Sequence, residues 1–469
     1  MHGNPLTRLA AGAAISTCCL FAGCTSQDTP PLARSTLPET AASDYYSPSA
    51  EEVVLEFDGV HRAKMTGGHG GETVNLADAR WEIDRLMTYL GGPMGSGPVK
   101  AGPKYDGRVT VHGADPLGDG WFAIRYSYIG TFTMERAHGD TYPVMVPRDV
   151  TTIYRRSQVP GMTDAGRNPC TNPIFSSDTY FWYFWNPRAQ GCPLREGEDY
   201  DVFQARVTRI PNLVRPRYPD YPRMVNAAGE LPVTVVFGVN DDANGIRPPE
   251  GNGDFSAENF LDVERRLVAA GFSAHRWSAA EVTGFCPAAA AGTGAIEDLT
   301  RQDGGRRVAV RMYLGSTHLG HHAEGFACIL NQALKSSALL VYSAHSGLGE
   351  SVYLQELRKD SGLPLEINQT LYQVFAFNSC SSYGYYNQDF FDQKKSSQDP
   401  TGELNLDVIT SGTSSDFEKI GKATWMELMP FLEWSRSGKW TSYQAIADSI
   451  DRGTLTGVSG VRENPEAPR

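Results

Sequence analysis

The sequence predicts an α/β protein in which a mostly parallel sheet flanked by helices fills the C-terminal half and a mostly β region precedes it. Two patterns carry this. From residue 231 onward, short apolar β-rich runs alternate with amphipathic stretches, as expected of strands buried on both faces and joined by crossover helices. Residues 51 to about 225 are instead dense in Gly, Pro and aromatic residues and hold short alternating runs.

Taken in order, "VTVHG", "WFAIRYSYIGTFTM" and "YPVMVPRDVTTIYRR" read as strands of the β region. The most aromatic stretch, "DTYFWYFWNP" at residues 178 to 187, reads as a strand buried on both faces rather than as a sugar-binding platform. "PVTVVFGV" opens the α/β half as a strand. "SAENFLDVERRLVAAG" follows as a helix, with Ser256 as its cap, Phe260, Val263 and Leu267 on one face, and Gly271 as its stop. Then come "RVAVRMYLG" (strand), "EGFACILNQALKSS" (helix), "ALLVYSAHSG" (strand), "SVYLQELRK" (helix), "LYQVFAFNSC" (strand), "LDVITSG" (strand) and "ATWMELMPFLEW" (helix). The expected organisation is a mostly β accessory domain at 51–228, an α/β domain at 229–455 and a flexible tail at 456–469, since some 420 residues favour two domains over one.

The N-terminus decides the compartment. Arg8 precedes "LAAGAAISTCCLFAGC", too short to span a bilayer and typical of a secretory signal. Its end, "FAGC", resembles the lipobox of bacterial lipoproteins, with Phe21 where that pattern usually has Leu. The resemblance implies removal of residues 1–23 and a diacylglycerol on Cys24, which leaves 469 − 23 = 446 residues; an ordinary signal peptide cut nearby is the plainer alternative. Residues 24–50, rich in Pro, Ser and Thr, read as a disordered tether. The expected location is extracytoplasmic, with a lipid anchor in a bacterial membrane, at the outer membrane or cell surface. The formal charge of −12 becomes about −13 without Arg8 and is spread without basic patches, so no nucleic-acid partner is expected.

Of eight cysteines, Cys18 and Cys19 leave with the signal and Cys24 would be lipidated. Five remain, an odd number, and in an oxidising compartment the odd thiol either bonds another molecule or serves chemistry. Cys170 and Cys192 flank one loop, whose closure would contribute roughly 3 kcal/mol. Cys286 and Cys328 are the next pair by proximity, which leaves Cys380 alone, although sequence does not fix connectivity.

Two predicted strands end in reactive residues. "ALLVYSA" delivers His345 and "LYQVFAF" delivers Cys380 after "NS". On neighbouring strands both would reach the carboxyl rim, where open α/β sheets bind ligands, as a thiol and its general base require. The small residues "SGLG" and "SSYG" that follow let backbone N–H groups approach a developing oxyanion.

An apolar strand ending in His, some 35 residues before a second ending in Cys, resembles the clan CD cysteine peptidases, the caspase, legumain, gingipain and clostripain group. "LDVITSGTSSDFEKIGKATWMELMPFLE" is similar to the strand, loop and helix after their catalytic Cys, and "VTVVFGVNDDANG…FLDVERRLVAAGF" to their first strand and helix. The likeness covers roughly residues 231 to 450. It implies a caspase-like fold, Cys380 as nucleophile, His345 as general base, and the backbone around Ser346 or Gly347, with Cys380 itself, as oxyanion hole. The group usually has Gly directly after His, whereas Ser346 intervenes here.

For substrate binding the candidates are Asn378, where clostripain-like enzymes carry Asp, and Asp242 and Arg247 in the loop after the first strand, which point to opposite substrate charges. "STHLGHHAEGF" gathers His318, His321, His322 and Glu324, side chains that could hold zinc, but lacks any recognised metal spacing; it reads as a solvated loop and no metal or other cofactor is expected, with a metal-dependent hydrolase as a third and weaker reading. The sequence therefore points to a lipid-anchored cysteine endopeptidase with a peptide or protein substrate. The alternative is a non-enzymatic surface or periplasmic binding lipoprotein with an inactive caspase-like domain.

Overall fold

The computed structural model describes residues 44–65, 74–159, 168–171, 177–178, 180–239, 254–287, 294–317, 323–346, 351–415 and 419–468. They form a mixed α/β structure with two sheets. The first is built from β1 (Ala50–Lys64), β2 (Ala101–Pro103), β3 (Arg108–Gly118), β4 (Trp121–Glu135), β5 (Thr141–Pro147) and β6 (Tyr200–Ile210), in the order β2-β4-β1-β6-β5 with β3 also on β4. All its pairings are antiparallel. Helix α1 (Leu76–Met87), capped by the Asn75 side chain, lays Ala79, Ile83 and Leu86 on the inner face of this sheet, against Val53, Leu55 and Ile124.

Three short helices complete this half: α2 (Gly91–Gly95), α3 (Ile153–Ser157) and α4 (Phe181–Phe184). Two expectations are corrected here. "YPVMVPRDVTTIYRR" is a strand only to Pro147, because the Asp149 carboxylate accepts from Thr151 N and from the Thr151 and Thr152 hydroxyls and turns the chain into α3. The aromatic stretch is a helical turn, not a strand. Its backbone bonds are local, from Phe181 N to Ser177 O at 3.0 Å and from Tyr183 N to Tyr180 O at 3.1 Å. Its aromatic content reports burial of Phe181 and Trp185 beside Cys170, Leu194 and Tyr200.

The second sheet comprises β7 (Glu230–Gly238), β8 (Ser273–Arg276), β9 (Gly294–Asp303), β10 (Arg306–Gly315), β11 (Leu339–Ser343), β12 (Gln373–Asn378), β13 (Leu406–Ser411) and β14 (Thr456–Ser459), in the order β14-β13-β12-β11-β7-β10-β9-β8. The five strands from β13 to β10 run parallel; β14, β9 and β8 add antiparallel edges. Side chains alternate between two cores, as strand geometry dictates. Val233, Val235, Leu339 and Val341 face α5 (Phe255–Ala269), α11 (Ile420–Ser437) and α12 (Tyr443–Ile450). Val236, Leu340, Tyr342, Phe375 and Phe377 face α7 (Glu324–Ser336), α8 (Leu354–Ser361) and α10 (Asn387–Lys394). Two further short helices are α6 (Ala279–Phe285) and α9 (Ser382–Tyr385). The cap of α5 is Asp254, whose carboxylate accepts from the N–H groups of Ser256 and Ala257, rather than Ser256 itself.

Both ends of the described chain are packed. Residues 44–50, read from sequence as the end of a tether, bury Tyr45 and bond Tyr46 N and O to Val458 O and N. Residues 456–468, read as a flexible tail, contain β14 and the buried Asn464. The Asn464 amide donates to Asp407 Oδ2 at 2.7 Å, an oxygen that also accepts from Tyr372 and Tyr443. Both assignments followed from polar composition, which does not reveal a short edge strand.

The two sheets belong to one compact unit, residues 42–469, and meet along a polar and aromatic seam. Tyr383 Oη donates to Glu52 Oε1 at 2.6 Å, Tyr45 and Thr133 hydroxyls bond at 2.8 Å, and the rings of Tyr105 and Tyr385 stack 5.1 Å apart. At its tightest point Gly102 lies so close to Gly412 that a Cβ would stand 1.8 Å from the Gly412 carbonyl oxygen.

Candidate active site

Strand β11 pairs with β12 in parallel, with Ser343 opposite Asn378 at the carboxyl end. His345 and Cys380 each follow that pair by two residues, so they occupy matching positions beyond adjacent strands at the rim. The pair itself is fixed from below. Asn378 Nδ2 donates to Ser343 Oγ at 3.2 Å and to Glu427 Oε2 at 2.6 Å, and Ser343 and Thr424 hydroxyls bond at 2.6 Å. Helix α11 supplies Thr424 and Glu427. Burial pushes the Glu427 carboxyl up to about 8, against which the Asn378 hydrogen bond works. Glu427 is therefore neutral at pH 7, as a carboxyl enclosed in the core without a cation should be.

Cys380 sits on a tight strand-to-helix turn. Ser381, directly after it, takes φ 51°, a left-handed conformation rare for a residue with a side chain. Its N–H donates to Thr413 O at 3.0 Å, and Ser382 Oγ donates to Phe377 O at 2.8 Å while accepting from Ser411 N. These bonds tie the turn to the end of β13 and hold the strained residue. Cys380 is 9 % exposed, and Ser415 N donates to its sulfur at 3.4 Å. Burial pushes the thiol up from its ordinary value, only partly opposed by hydrogen bonds from the backbone of Ser415 and of Cys380 itself.

The segment after β11 is held by aromatic hydroxyls. Tyr342 Oη donates to His345 O at 2.7 Å, and Tyr386 Oη donates to the carbonyl of the buried Ser346 at 2.8 Å. A third tyrosine comes from the other half of the chain. Burial raises the Tyr183 phenol well above its usual range and Cys380 raises it further, while the hydroxyls of Ser381 and Ser346 lower it. The Tyr183 ring lies 6.5 Å from that of Tyr385 in α9, the helix after Cys380, a placement the sequence could not signal because 197 residues separate Tyr183 from Cys380. Beside it a cavity of about 90 Å³ opens between α2, β2 and α4 on one side and Ser381 and residues 412–414 on the other.

The structure forms the disulfides Cys170–Cys192 and Cys286–Cys328, with Cα atoms 4.7 and 5.9 Å apart, and Cys380 is free and buried. Asn378 lies beneath the rim, bonded to Glu427, and does not line the cavity. Gly347, Asp242, Arg247, Cys24 and the histidines 318, 321 and 322 lie outside the described residues. Glu324, the described member of that last cluster, begins α7. Among the described residues no group of three or more His, Cys, Asp or Glu side chains could hold a metal ion, and no helix is long and apolar enough to cross a membrane. No family model matches the chain, and no curated protein or solved structure matches it.

Proposed function

We propose that the chain is an extracytoplasmic cysteine endopeptidase of caspase-like fold, lipid-anchored through Cys24. The observation that carries the proposal is the matching placement of His345 and Cys380 beyond paired residues of neighbouring parallel strands. The two disulfides are compatible with the proposed location. In the proposed reaction the Cys380 proton passes to the His345 imidazole as the sulfur attacks the scissile carbonyl carbon. The resulting oxyanion is received by backbone N–H groups of the 346–347 segment and of Cys380, and the imidazolium returns the proton to the departing amine. Water, with His345 again as base, then hydrolyses the thioester. Burial of the thiol works against the attack, because it lowers the thiolate fraction and leaves deprotonation to His345.

The same burial supports a second reading, a binding lipoprotein that keeps the fold without the chemistry. Incubation of a peptide library with wild type and with Cys380→Ala separates the two. Cleavage by wild type, lost in Cys380→Ala and in His345→Ala with circular dichroism unchanged, is expected. Cleavage that survives Cys380→Ala would refute the mechanism.

A further inference from the structure

We propose that the cavity beside Cys380 receives the side chain preceding the cleaved bond and selects a small uncharged one, alanine or serine. This rests on the peptidase reading and names its substrate class. The cavity adjoins the turn that carries the nucleophile, since Ser381, the residue directly after Cys380, forms part of its wall, as does Tyr183. Its volume is about 90 Å³, below the roughly 150 Å³ of a cavity that takes benzene, so an aromatic side chain is too large. Among the described residues no Asp, Glu, Lys, Arg or His lines it. A charged substrate side chain would be desolvated there without a partner among those residues. Ser381, Thr413 and Ser414 are among its lining residues, small side chains that suit a small neutral group.

The wall opposite Ser381 comes from the glycines of α2, and two of them differ in what they tolerate. A Cβ at Gly92 would stand 2.7 Å from the Trp185 carbonyl oxygen, so that position is closed by packing. At Gly95 a Cβ would meet only Thr413 Cγ2, at 3.8 Å, an ordinary contact. Gly95 therefore admits a side chain that narrows the cavity without displacing its neighbours.

The test is a set of fluorogenic peptides that vary only in the residue before the cleaved bond, assayed with wild type, Cys380→Ala and Gly95→Val. Wild type should prefer Ala and Ser over Arg, Lys, Asp and Phe by at least tenfold in kcat/KM. Gly95→Val should lose at least tenfold on the Ala peptide while changing less than threefold on the Gly peptide, about the effect of a methylene-sized misfit. Cys380-dependent cleavage after Arg, Lys, Asp or Phe would overturn the cavity assignment and leave the peptidase reading standing. Absence of cleavage of every peptide would overturn both. If Gly95→Val fails to fold, the preference of the wild type decides alone.

Discussion

Replacing Glu427 by Gln should change how stability depends on pH. Glu427 is 1 % exposed on α11, and its Oε1 has no hydrogen-bond partner among the described residues, while Oε2 accepts from Asn378. Its carboxyl holds its proton up to about pH 8 in the folded protein, against 4.5 ordinarily. Between those values the folded state binds the proton and the unfolded state has released it, so stability falls as pH rises through the window. At ~1.4 kcal/mol per pH unit, the loss reaches about 3 kcal/mol by pH 7 and about 4 kcal/mol between pH 5 and pH 8. The amide introduced by Glu427→Gln would keep an acceptor for Asn378 and carry no titrating proton. Urea unfolding of both proteins at pH 5, 6, 7 and 8 should therefore show the wild type losing about 4 kcal/mol relative to Glu427→Gln across the series. Asp407, pushed up by burial to about 7, titrates in the same window but is present in both proteins and cancels in the difference. A difference that stays flat from pH 5 to pH 8 would show that burial does not hold Glu427 neutral.

Iodoacetamide should alkylate native Cys380 slowly at pH 7 and faster as pH rises through and beyond 9, because burial holds the thiol protonated; a rate already constant from pH 6 upward would contradict this. Gly102→Ala should destabilise the protein by roughly 1–3 kcal/mol, the cost of overpacking, and raise protease sensitivity at the seam, since its Cβ would stand 1.8 Å from Gly412 O; an unchanged melting temperature would refute the close approach. Non-reducing peptide mapping should recover Cys170–Cys192 and Cys286–Cys328 as linked peptides with Cys380 unlinked, and any Cys380 disulfide would reassign the free thiol.

The parallel core was legible because strands β11, β12 and β13 are buried on both faces, and continuous apolar runs such as "LLVYS" and "QVFAFN" report that directly. Strand β9, "GAIEDLTRQD", was not legible. Its charged residues Glu297 and Asp298 are occupied by Arg276 and Arg311, so ion pairs conceal its place in the sheet. His345 and Cys380 stand out as candidates in the sequence because each closely follows an apolar run. Tyr183 and the α2 glycines do not, because they reach the rim only through the packing of one sheet on the other. Glu427 carries no signal of its own in the sequence, because what marks it is burial against Asn378 of a distant strand.

The bonds between Tyr46 and Val458 bear on how the chain is made. These residues are 412 positions apart, and the partners of Asp407 include Asn464, a few residues from the C-terminus. A nascent chain emerges N-terminus first, so β1 and the segment before it are complete while the strand that secures them is still unsynthesised. Contacts of such long separation close late, and until they close the outer edge of β13 is exposed as a template for pairing with other chains. Synthesis, and any later transfer across a membrane, must therefore pass residue 464 before this molecule can secure the segment ahead of β1, which gives chaperones a defined interval in which to act.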